Sequence, residues 1–336
     1  MAWTVAANCG AGVYDMDRNS MKVKIWGVRG AFPVANVDFL KYGGNTACIS
    51  VDCGGRMVVF DAGSGLMQLG NQLYQSGKKR IDILLSHLHI DHCLGLLNFR
   101  PMFDPEAEIH LYGGRGDTAG LRQSLETLIG GPYWPLELRD FPARVEIHEI
   151  TPGESFYLAE DGEAAGKMEA MEEEAAGATE KVLERSIPSE RKTGRVKGSQ
   201  KEENCKEHVR IRTMPGNHPN QSLLYRLEYG GKSIVHVLDC ELNEEIFPTL
   251  SEFAREASLL IWDANFTDEE LERHRGWGHS SWEQGIALRR RAEAETVLMT
   301  HYASSYKDRF LQEQERLAAM EDAASRFARE GMELEL

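Results

Sequence analysis

Four potential metal ligands stand within six residues, directly after an apolar segment at residues 81–85: His87, His89, Asp91 and His92. The apolar segment predicts a buried β-strand, and side chains alternate along an extended chain, so His87 and His89 point to the same side. Asp91 and His92 then fall in a following helical turn and face a second point nearby. Neutral imidazole and carboxylate are side chains that bind zinc, manganese or iron in proteins. The spacing favours two neighbouring cations over one, and the alternative is a loop of four solvent-facing polar residues.

Three more residues of ligand type follow strand-like segments further along the chain. His218 lies in a Gly/Pro-rich turn, Asp239 ends the apolar run 233–238, and His301 follows the apolar run 296–300. Each residue alone is compatible with an ordinary turn position. Together with the first cluster, the three residues predict one site in which ligands converge from the carboxyl ends of separate strands.

These residues, with Asp61 in the segment Phe60-Asp61-Ala62-Gly63 ahead of them, resemble in order and spacing the metallo-β-lactamase superfamily, from about residue 21 to residue 310. The resemblance implies an α/β fold, the αββα sandwich, in which two mixed β-sheets are flanked by helices, and it implies a centre of two metal ions. Asp61 is then expected to orient a ligand from behind. By position, the resemblance implies that His87, His89 and His218 bind one metal, that Asp91, His92 and His301 bind the other, and that Asp239 bridges both.

Two further regions narrow the resemblance to the branch of ribonuclease Z and cyclic-nucleotide phosphodiesterases. One comprises residues 22–30 and 42–46, and the other is the Gly-His-Ser segment at residues 277–281. In that branch the histidine of the Gly-His-Ser segment lies beside the metals. The resemblance therefore assigns His279 to protonation of a leaving oxygen or to support of the phosphate. The alternative for His279 is a histidine that caps the start of a helix.

The charge of such a centre favours phosphate chemistry. Two divalent cations carry four positive charges, of which Asp91 and Asp239 would balance two. The remainder attracts a phosphodiester, and bound metal lowers the pKa of water so that hydroxide becomes available near neutral pH. We therefore predict a metal-dependent hydrolase, with phosphodiesterase as the leading interpretation. In that interpretation Asp91 joins His279 in the catalytic group, and Asn45 is a candidate substrate contact.

Net charge bears on the substrate. The chain has 38 lysines and arginines against 53 aspartates and glutamates, a net charge of −15 at pH 7. It has no extended basic stripe of the kind that neutralises the phosphates of a long nucleic acid. A small phosphodiester, such as a cyclic nucleotide, is therefore favoured over RNA. An endoribonuclease of the ribonuclease Z type is the alternative, and a lactonase, a thioesterase or a non-catalytic metal-binding protein are weaker ones.

Imidazole and carboxylate ligands accept zinc, manganese and iron, of which zinc is the expected occupant. The six cysteines show no paired-ligand spacing, which predicts free thiols in a reducing cytoplasm. Cys93 and Cys240, each beside a predicted ligand, are expected in the core rather than at the metal. No apolar run reaches the length of a membrane span. The sequence is compatible with a homodimer.

The chain of 336 residues is expected to form one catalytic domain at residues 21–336 after an amino-terminal extension at residues 1–20. A charged insertion at residues 159–207 contains no Phe, Tyr or Trp and cannot bury a core of its own. A solvated arm is expected there rather than a functional lid, and it does not resemble the arm that grips transfer RNA in ribonuclease Z. A surface helix is predicted at residues 311–330.

Strand-like and helical segments recur along both halves of the chain. Other helices are predicted at residues 65–75, 118–129 and 282–293. Besides the strand before His301, strands are predicted at residues 23–27, 47–51, 57–61, 81–86, 108–112, 145–149, 209–214, 222–229, 233–239 and 259–264.

Overall fold

Two β-sheets of seven strands each form the centre of the computed structural model, which describes residues 20–115, 119–158 and 208–336. The predicted insertion at residues 159–207 and residues 1–19 of the predicted extension lie outside the described residues. The strands are β1 (Met21–Gly27), β2 (Cys48–Cys53), β3 (Arg56–Phe60), β4 (Arg80–Leu85), β5 (Glu108–Gly114), β6 (Arg144–Ile150), β7 (Ser155–Tyr157), β8 (Arg210–Gly216), β9 (Ser222–Tyr229), β10 (Lys232–Val237), β11 (Leu259–Asp263), β12 (Thr296–Thr300), β13 (Ser325–Phe327) and β14 (Glu333–Glu335).

Each sheet is mixed in strand direction. The first sheet has the order β14-β1-β2-β3-β4-β5-β6, antiparallel as far as β3 and parallel from β3 to β6. The second has the order β13-β12-β11-β10-β9-β8-β7, parallel from β13 to β10 and antiparallel beyond it. With helices on their outer faces, the sheets form the α/β sandwich that the resemblance implied.

Helices cover the sheets and connect their parallel strands. The α-helices are α1 (Leu66–Ser76), α2 (Ile90–Cys93), α3 (Leu121–Leu128), α4 (Ile246–Phe253), α5 (Asp268–Leu271), α6 (Trp282–Ala292) and α7 (Asp308–Glu321). Short 3₁₀ helices lie at Val37–Phe39, Leu94–Asn98, Arg100–Phe103, Leu138–Asp140 and Glu272–His274. None of the described helices has the length and apolar character needed to cross a membrane.

Burial patterns explain why these segments adopt their structures. In β4, in the middle of its sheet, residues 81–85 are all buried, as expected for a strand covered on both faces. Helix α1 buries Leu66, Leu69 and Leu73 on one face, the spacing of an amphipathic helix. It ends at Gly77, whose φ of 70° is the left-handed conformation that glycine adopts at little cost.

The apolar interior has two layers. One lies between the sheets and includes Phe60, Tyr225 and Trp262, all fully buried. The second lies between the first sheet and helices α1 and α3. Cys93 and Cys240 are buried free thiols, which confirms their predicted place in the core.

The prediction of a helix over residues 311–330 was wrong at its carboxyl end. Helix α7 stops at Glu321, and β13 then extends the second sheet beside β12. Asp322 ends the helix because its carboxylate accepts the Ala324 N–H and pairs with Arg289 and Arg290 of α6. Phe327, which follows, is buried against Tyr302. These tertiary contacts outweigh the helical tendency of the local sequence.

We predict that Leu311→Ala destabilises the fold and that Leu317→Ala, on the same helix, does not. Leu311 is 1% exposed, whereas Leu317 is 37% exposed. The cavity left by Leu311→Ala is expected to lower the free energy of unfolding by about 2–5 kcal/mol, and the surface change by about 0.5 kcal/mol or less. Urea denaturation followed by circular dichroism measures both. Equal effects would contradict the packing of α7 on the core.

Candidate metal centre

Five residues of the site, of which all but Asp263 were predicted, lie at or just beyond the carboxyl ends of strands that have a parallel neighbour. Asp61 follows β3 directly, His87 lies two residues after β4, and Asp239 lies two residues after β10. Asp263 is the last residue of β11, and His301 follows β12 directly. Because the carboxyl ends of parallel strands share one edge of a sheet, both sheets deliver these side chains to the same end of the sandwich.

The backbone is strained at this edge. Asp61, Asp239 and His301 have φ angles of 58°, 52° and 61°, and Ala31 has 63°. Non-glycine residues in this left-handed region cost on the order of 1–3 kcal/mol each and persist only where their surroundings fix them. Four of the eight non-glycine residues with positive φ in the described part of the chain are these, and such strain at residues that converge on one point is a common feature of functional sites.

A first group of ligand atoms comprises His87, His89, His218 and Asp239, all within 4.8 Å of one another. Nδ1 of His89 lies 3.3 Å from Nε2 of His218. Oδ1 of Asp239 lies 3.8 Å from Nε2 of His87 and 3.8 Å from Nε2 of His218. Three imidazole nitrogens and one carboxylate oxygen therefore surround a single point.

A second group comprises Asp91, His92 and His301. Nε2 of His301 lies 3.2 Å from Nε2 of His92 and 3.5 Å from Oδ2 of Asp91. Oδ2 of Asp239 lies 3.0 Å from His92 Nε2 and 3.2 Å from His301 Nε2. Asp239 thus presents Oδ1 to the first group and Oδ2 to the second, the disposition of a bridging carboxylate.

Contacts behind the ligands orient their rings. Oδ2 of Asp61 lies 2.9 Å from Nδ1 of His92, and the Asp61 carboxylate accepts both the N–H and the O–H of Ser86. Nδ1 of His218 lies 3.0 Å from the carbonyl oxygen of Gly278. Such partners fix the ring so that Nε2 faces the cation. A side chain at Gly278 is excluded, because its Cβ would lie 2.0 Å from His218 Nδ1 and its φ is +83°.

Asp263 forms a pair with His279 beside both groups. Oδ2 of Asp263 lies 2.8 Å from Nδ1 of His279, and its Oδ1 lies 3.6 Å from Nδ1 of His301. Nδ1 of His279 is also 3.7 Å from Asp239 Oδ1, and its side chain is 17% exposed. His279 therefore lies next to the predicted bridging residue and keeps contact with solvent.

The site has the charge that a cation requires. Asp61, Asp91, Asp239 and Asp263 are all at most 6% exposed. In the described part of the chain their ion pairs are with histidines, with neither lysine nor arginine. Buried carboxylates are costly unless cations compensate them. Nε2 of His87 is buried without a hydrogen-bond partner in the described residues, so the donor set fits divalent metal ions.

The two ligand groups differ in the protonation of their histidines. Burial lowers the pKa of His87, His89 and His218, which favours the neutral imidazole that binds metals. At His301 burial acts in the same direction, but the Asp239 and Asp263 carboxylates outweigh it and raise the pKa to about 10. Protons on the second group thus balance carboxylates that a metal ion would balance instead.

Asn45 has structural contacts. Its side-chain nitrogen donates to Glu330 at 3.0 Å and its side-chain oxygen accepts from Ser64 at 3.0 Å. Its backbone N–H also donates to Glu330, at 2.6 Å. The structure does not bring Asn45 into the converging groups. These contacts link its loop to the carboxyl-terminal segment, and a substrate contact by Asn45 stays a prediction.

The sequence analysis missed several residues that complete the site. Asp263 was overlooked, although it ends an apolar strand as Asp239 follows one. The N–H of Ala31 donates to Oδ2 of Asp91 at 2.8 Å, a contact that no sequence pattern predicts. His236 alternates along β10 and stacks on Phe60 behind the site with ring centroids 4.7 Å apart. Burial lowers its pKa to about 4, so the ring is neutral.

Comparisons with known proteins decide the family. A family model described as the beta-lactamase superfamily domain matches residues 56–302. The chain belongs to the beta-lactamase superfamily. Ribonuclease Z of Haloferax volcanii is 28% identical to it over 269 residues, which cover 75% of this chain and 77% of the relative. Ribonuclease Z of Gemmatimonas aurantiaca is 28% identical over 311 residues, covering 86% of this chain and 90% of the relative.

A solved structure supports the fold. The metallo-beta-lactamase fold protein YhfI from Bacillus subtilis aligns with a TM-score of 0.60 over 95% of this chain and 100% of its own, at 17% identity. The superfamily and the metal-dependent hydrolase class predicted from the sequence are confirmed, and these relatives agree with the predicted branch of ribonuclease Z and cyclic-nucleotide phosphodiesterases. The fold of this family implies divalent metal ions, which matches the ligand groups.

We predict that Asp61→Asn weakens metal binding by about 10–100-fold, because His92 loses the carboxylate that orients it. Competition with a chromogenic chelator measures the affinity. Asp104→Asn is the control, since Asp104 forms an ion pair with Lys79 and takes no part in the ligand groups. Wild-type affinity in Asp61→Asn, with an intact fold by circular dichroism, would contradict the role given to Asp61.

Proposed function

We propose that this superfamily member is a phosphodiesterase that uses a dinuclear metal centre. The observation that carries the proposal is the Asp263–His279 pair, held 3.7 Å from Asp239 between the two ligand groups. A proton donor at that position suits a reaction that expels a basic alkoxide. Hydrolysis of a phosphodiester is such a reaction.

The two ligand groups would hold the ions. His87, His89 and His218 would bind one, Asp91, His92 and His301 the other, and Asp239 both. When bound, the two ions supply positive charge for the phosphate and lower the pKa of water. Zinc suits a set of imidazole and carboxylate ligands, and manganese or iron are alternatives.

His279 would act as the proton donor. Its Nδ1 is engaged by Asp263 at 2.8 Å, so Nε2 remains for the leaving oxygen. In the reaction, a water oxygen forms a new bond to phosphorus and the bond from phosphorus to the leaving oxygen breaks. The leaving oxygen takes the proton from Nε2 and departs as an alcohol. The proton that the attacking water gives up would return to His279, so that the overall reaction converts a phosphodiester and water into a phosphomonoester and an alcohol.

Asp91 would contribute by position. One of its oxygens, Oδ2, accepts the N–H of Ala31 at 2.8 Å and lies 3.3 Å from Nε2 of His92. The backbone therefore fixes this carboxylate in the second group, and its charge balances part of the metal charge. Loss of Asp91 would remove both a metal ligand and a negative charge that balances the metal ions.

Two substrate classes have separate support. The relatives named ribonuclease Z align over most of this chain and favour RNA. The net charge of −15 favours a small phosphodiester, such as a cyclic nucleotide, because 53 acidic residues outnumber the 38 lysines and arginines that could neutralise a long backbone. We take RNA as the first substrate to test and the small phosphodiester as the second. A cytoplasmic location and a homodimer complete the proposal.

We predict that His279→Ala slows turnover of substrates with an alkoxide leaving group by about 100- to 10,000-fold. Bis-p-nitrophenyl phosphate should be affected far less, because p-nitrophenolate leaves without a proton. The measurement compares kcat on this ester with kcat on a transfer-RNA precursor and a cyclic mononucleotide, with zinc or manganese supplied.

The matched control is His274→Ala in the same segment. The His274 ring bonds to the Glu270 carbonyl and stacks on Phe266, outside the ligand groups. It should retain wild-type rates on all three substrates. An equal loss in His279→Ala on good and poor leaving groups would contradict the proton-donor role and leave His279 with a structural one.

Salt dependence separates the substrate classes. We expect cleavage of the transfer-RNA precursor, with a kcat/KM that falls steeply between about 50 and 200 mM salt as counterion release is lost. A cyclic nucleotide should respond only mildly. Turnover of the cyclic nucleotide with no cleavage of the RNA would contradict the RNA assignment and favour the small phosphodiester.

A further inference from the structure

A second group of potential ligands lies on the first sheet and shares no residue with the candidate metal centre. It comprises His110 of β5 and Glu146 and His148 of the edge strand β6. In the parallel register His110 pairs with Glu146, and Tyr112 pairs with His148. Since side chains alternate along a strand, Glu146 and His148 project to the same face and meet His110 there.

The three side chains are spaced as ligands of one ion are. Nδ1 of His110 lies 3.1 Å from Nε2 of His148 and 3.5 Å from Oε2 of Glu146. Nε2 of His148 and Oε2 of Glu146 are 3.8 Å apart. A tetrahedral ion with bonds of about 2.0–2.2 Å separates its ligands by about 3.3–3.6 Å. The observed distances bracket that separation.

The candidate metal centre provides an internal comparison. Its closest ligand contacts span 3.0–3.8 Å, as in the pairs that Asp239 makes with His92 and His218. The group on β5 and β6 shows the same range with the same ligand chemistry. An ordinary surface ion pair would need only one of these contacts, whereas here all three are present at once.

The surroundings hold the rings in place. His148 stacks on Tyr112 with ring centroids 4.4 Å apart and an angle of 15° between the planes. Tyr112 in turn stacks on Phe156 of β7 and donates to Asp82. Burial lowers the pKa of both His110 and His148, so the rings are neutral and able to bind a metal.

Three arginines near the group pair with three carboxylates, so these charges balance one another without a metal ion. Arg56 pairs with Asp82 at 2.9 Å, and Arg144 pairs with Oε1 of Glu146 at 2.5 Å, which leaves Oε2 for the histidines. The third pair is between Arg80 and Glu108, at 4.0 Å. A divalent ion therefore adds positive charge. Because the side chains of Glu146 and His148 are 31% and 23% exposed, solvent reaches the group and screens it.

We propose that His110, Glu146 and His148 bind a further transition-metal ion, of the zinc and cobalt class, that fastens edge strand β6 to β5. Two imidazoles and one carboxylate suit such ions, and a water molecule would complete four-coordination. The alternative is a neutral pair of histidines that share one hydrogen bond between Nδ1 and Nε2. In that case the group binds no metal ion.

The test counts metal ions on the full-length protein. Wild type and variants are stripped with a chelator, dialysed to equilibrium against Co²⁺ and analysed by mass spectrometry of the metal, with visible absorption recorded. We expect wild type to bind one equivalent more than His148→Gln. Glu146→Gln, at the more exposed position, should lose the same equivalent. Glu108→Gln is the control, because it alters the charge cluster but removes no ligand.

The difference of one equivalent does not depend on how many ions the candidate metal centre holds. Phosphodiesterase activity in His148→Gln should stay within about twofold of wild type. Because the metal count needs no activity assay, failure of the proposed function would leave this test intact. The extra equivalent should also raise the thermal midpoint of wild type but not that of His148→Gln. Equal Co²⁺ content in wild type, His148→Gln and Glu146→Gln would overturn the site and leave the hydrogen-bonded pair.

Discussion

Four carboxylates buried at the ends of strands determine the chemistry of this protein. Asp61, Asp91, Asp239 and Asp263 come from four separate loops or strand ends of the two sheets, and their ion partners in the described structure are histidines. Such a concentration of negative charge in the interior is stable only with compensating cations. The sandwich brings the carboxyl ends of β3, β4, β10, β11 and β12 to one edge. The fold therefore gathers the carboxylates whose charge metal ions would compensate.

The carboxylates divide the work. Asp239 lies between the two ligand groups and offers one oxygen to each. Asp61 and Asp263 stand behind the rings of His92 and His301, where they fix ring orientation. Asp263 serves a second ring as well, that of His279. One buried acid therefore couples a predicted metal ligand to the predicted proton donor.

Much of this site could be predicted from the sequence because its signals are local. Ligands at residues 87–92 are close enough in the chain for strand and helix periodicity to decide where they point. Asp239 and His301 stand out as polar residues after apolar strands. Asp263 carries the same local signal at the end of β11, but the family resemblance names no ligand at that position, and it was not predicted. The contacts of Ala31 and Gly278 depend on chain segments far apart and could not be read from spacing.

The fold shows the same limit. Central strands such as β4 are predictable because burial on both faces requires a continuous apolar run. The three-residue strands β7, β13 and β14 carry no comparable pattern, and the register of their sheets defines them. Asp322 ends helix α7 through contacts with Arg289 and Arg290, which lie on another helix. Tertiary contacts of this kind are invisible to local periodicity.

The most direct test of the central idea is anomalous diffraction from crystals of protein loaded with zinc, recorded at the zinc absorption edge. The account predicts two peaks flanking the Asp239 carboxylate, one against His87, His89 and His218 and one against Asp91, His92 and His301. Fully loaded crystals with no peak beside Asp239 would contradict it, because the buried carboxylates would then be compensated by protons alone.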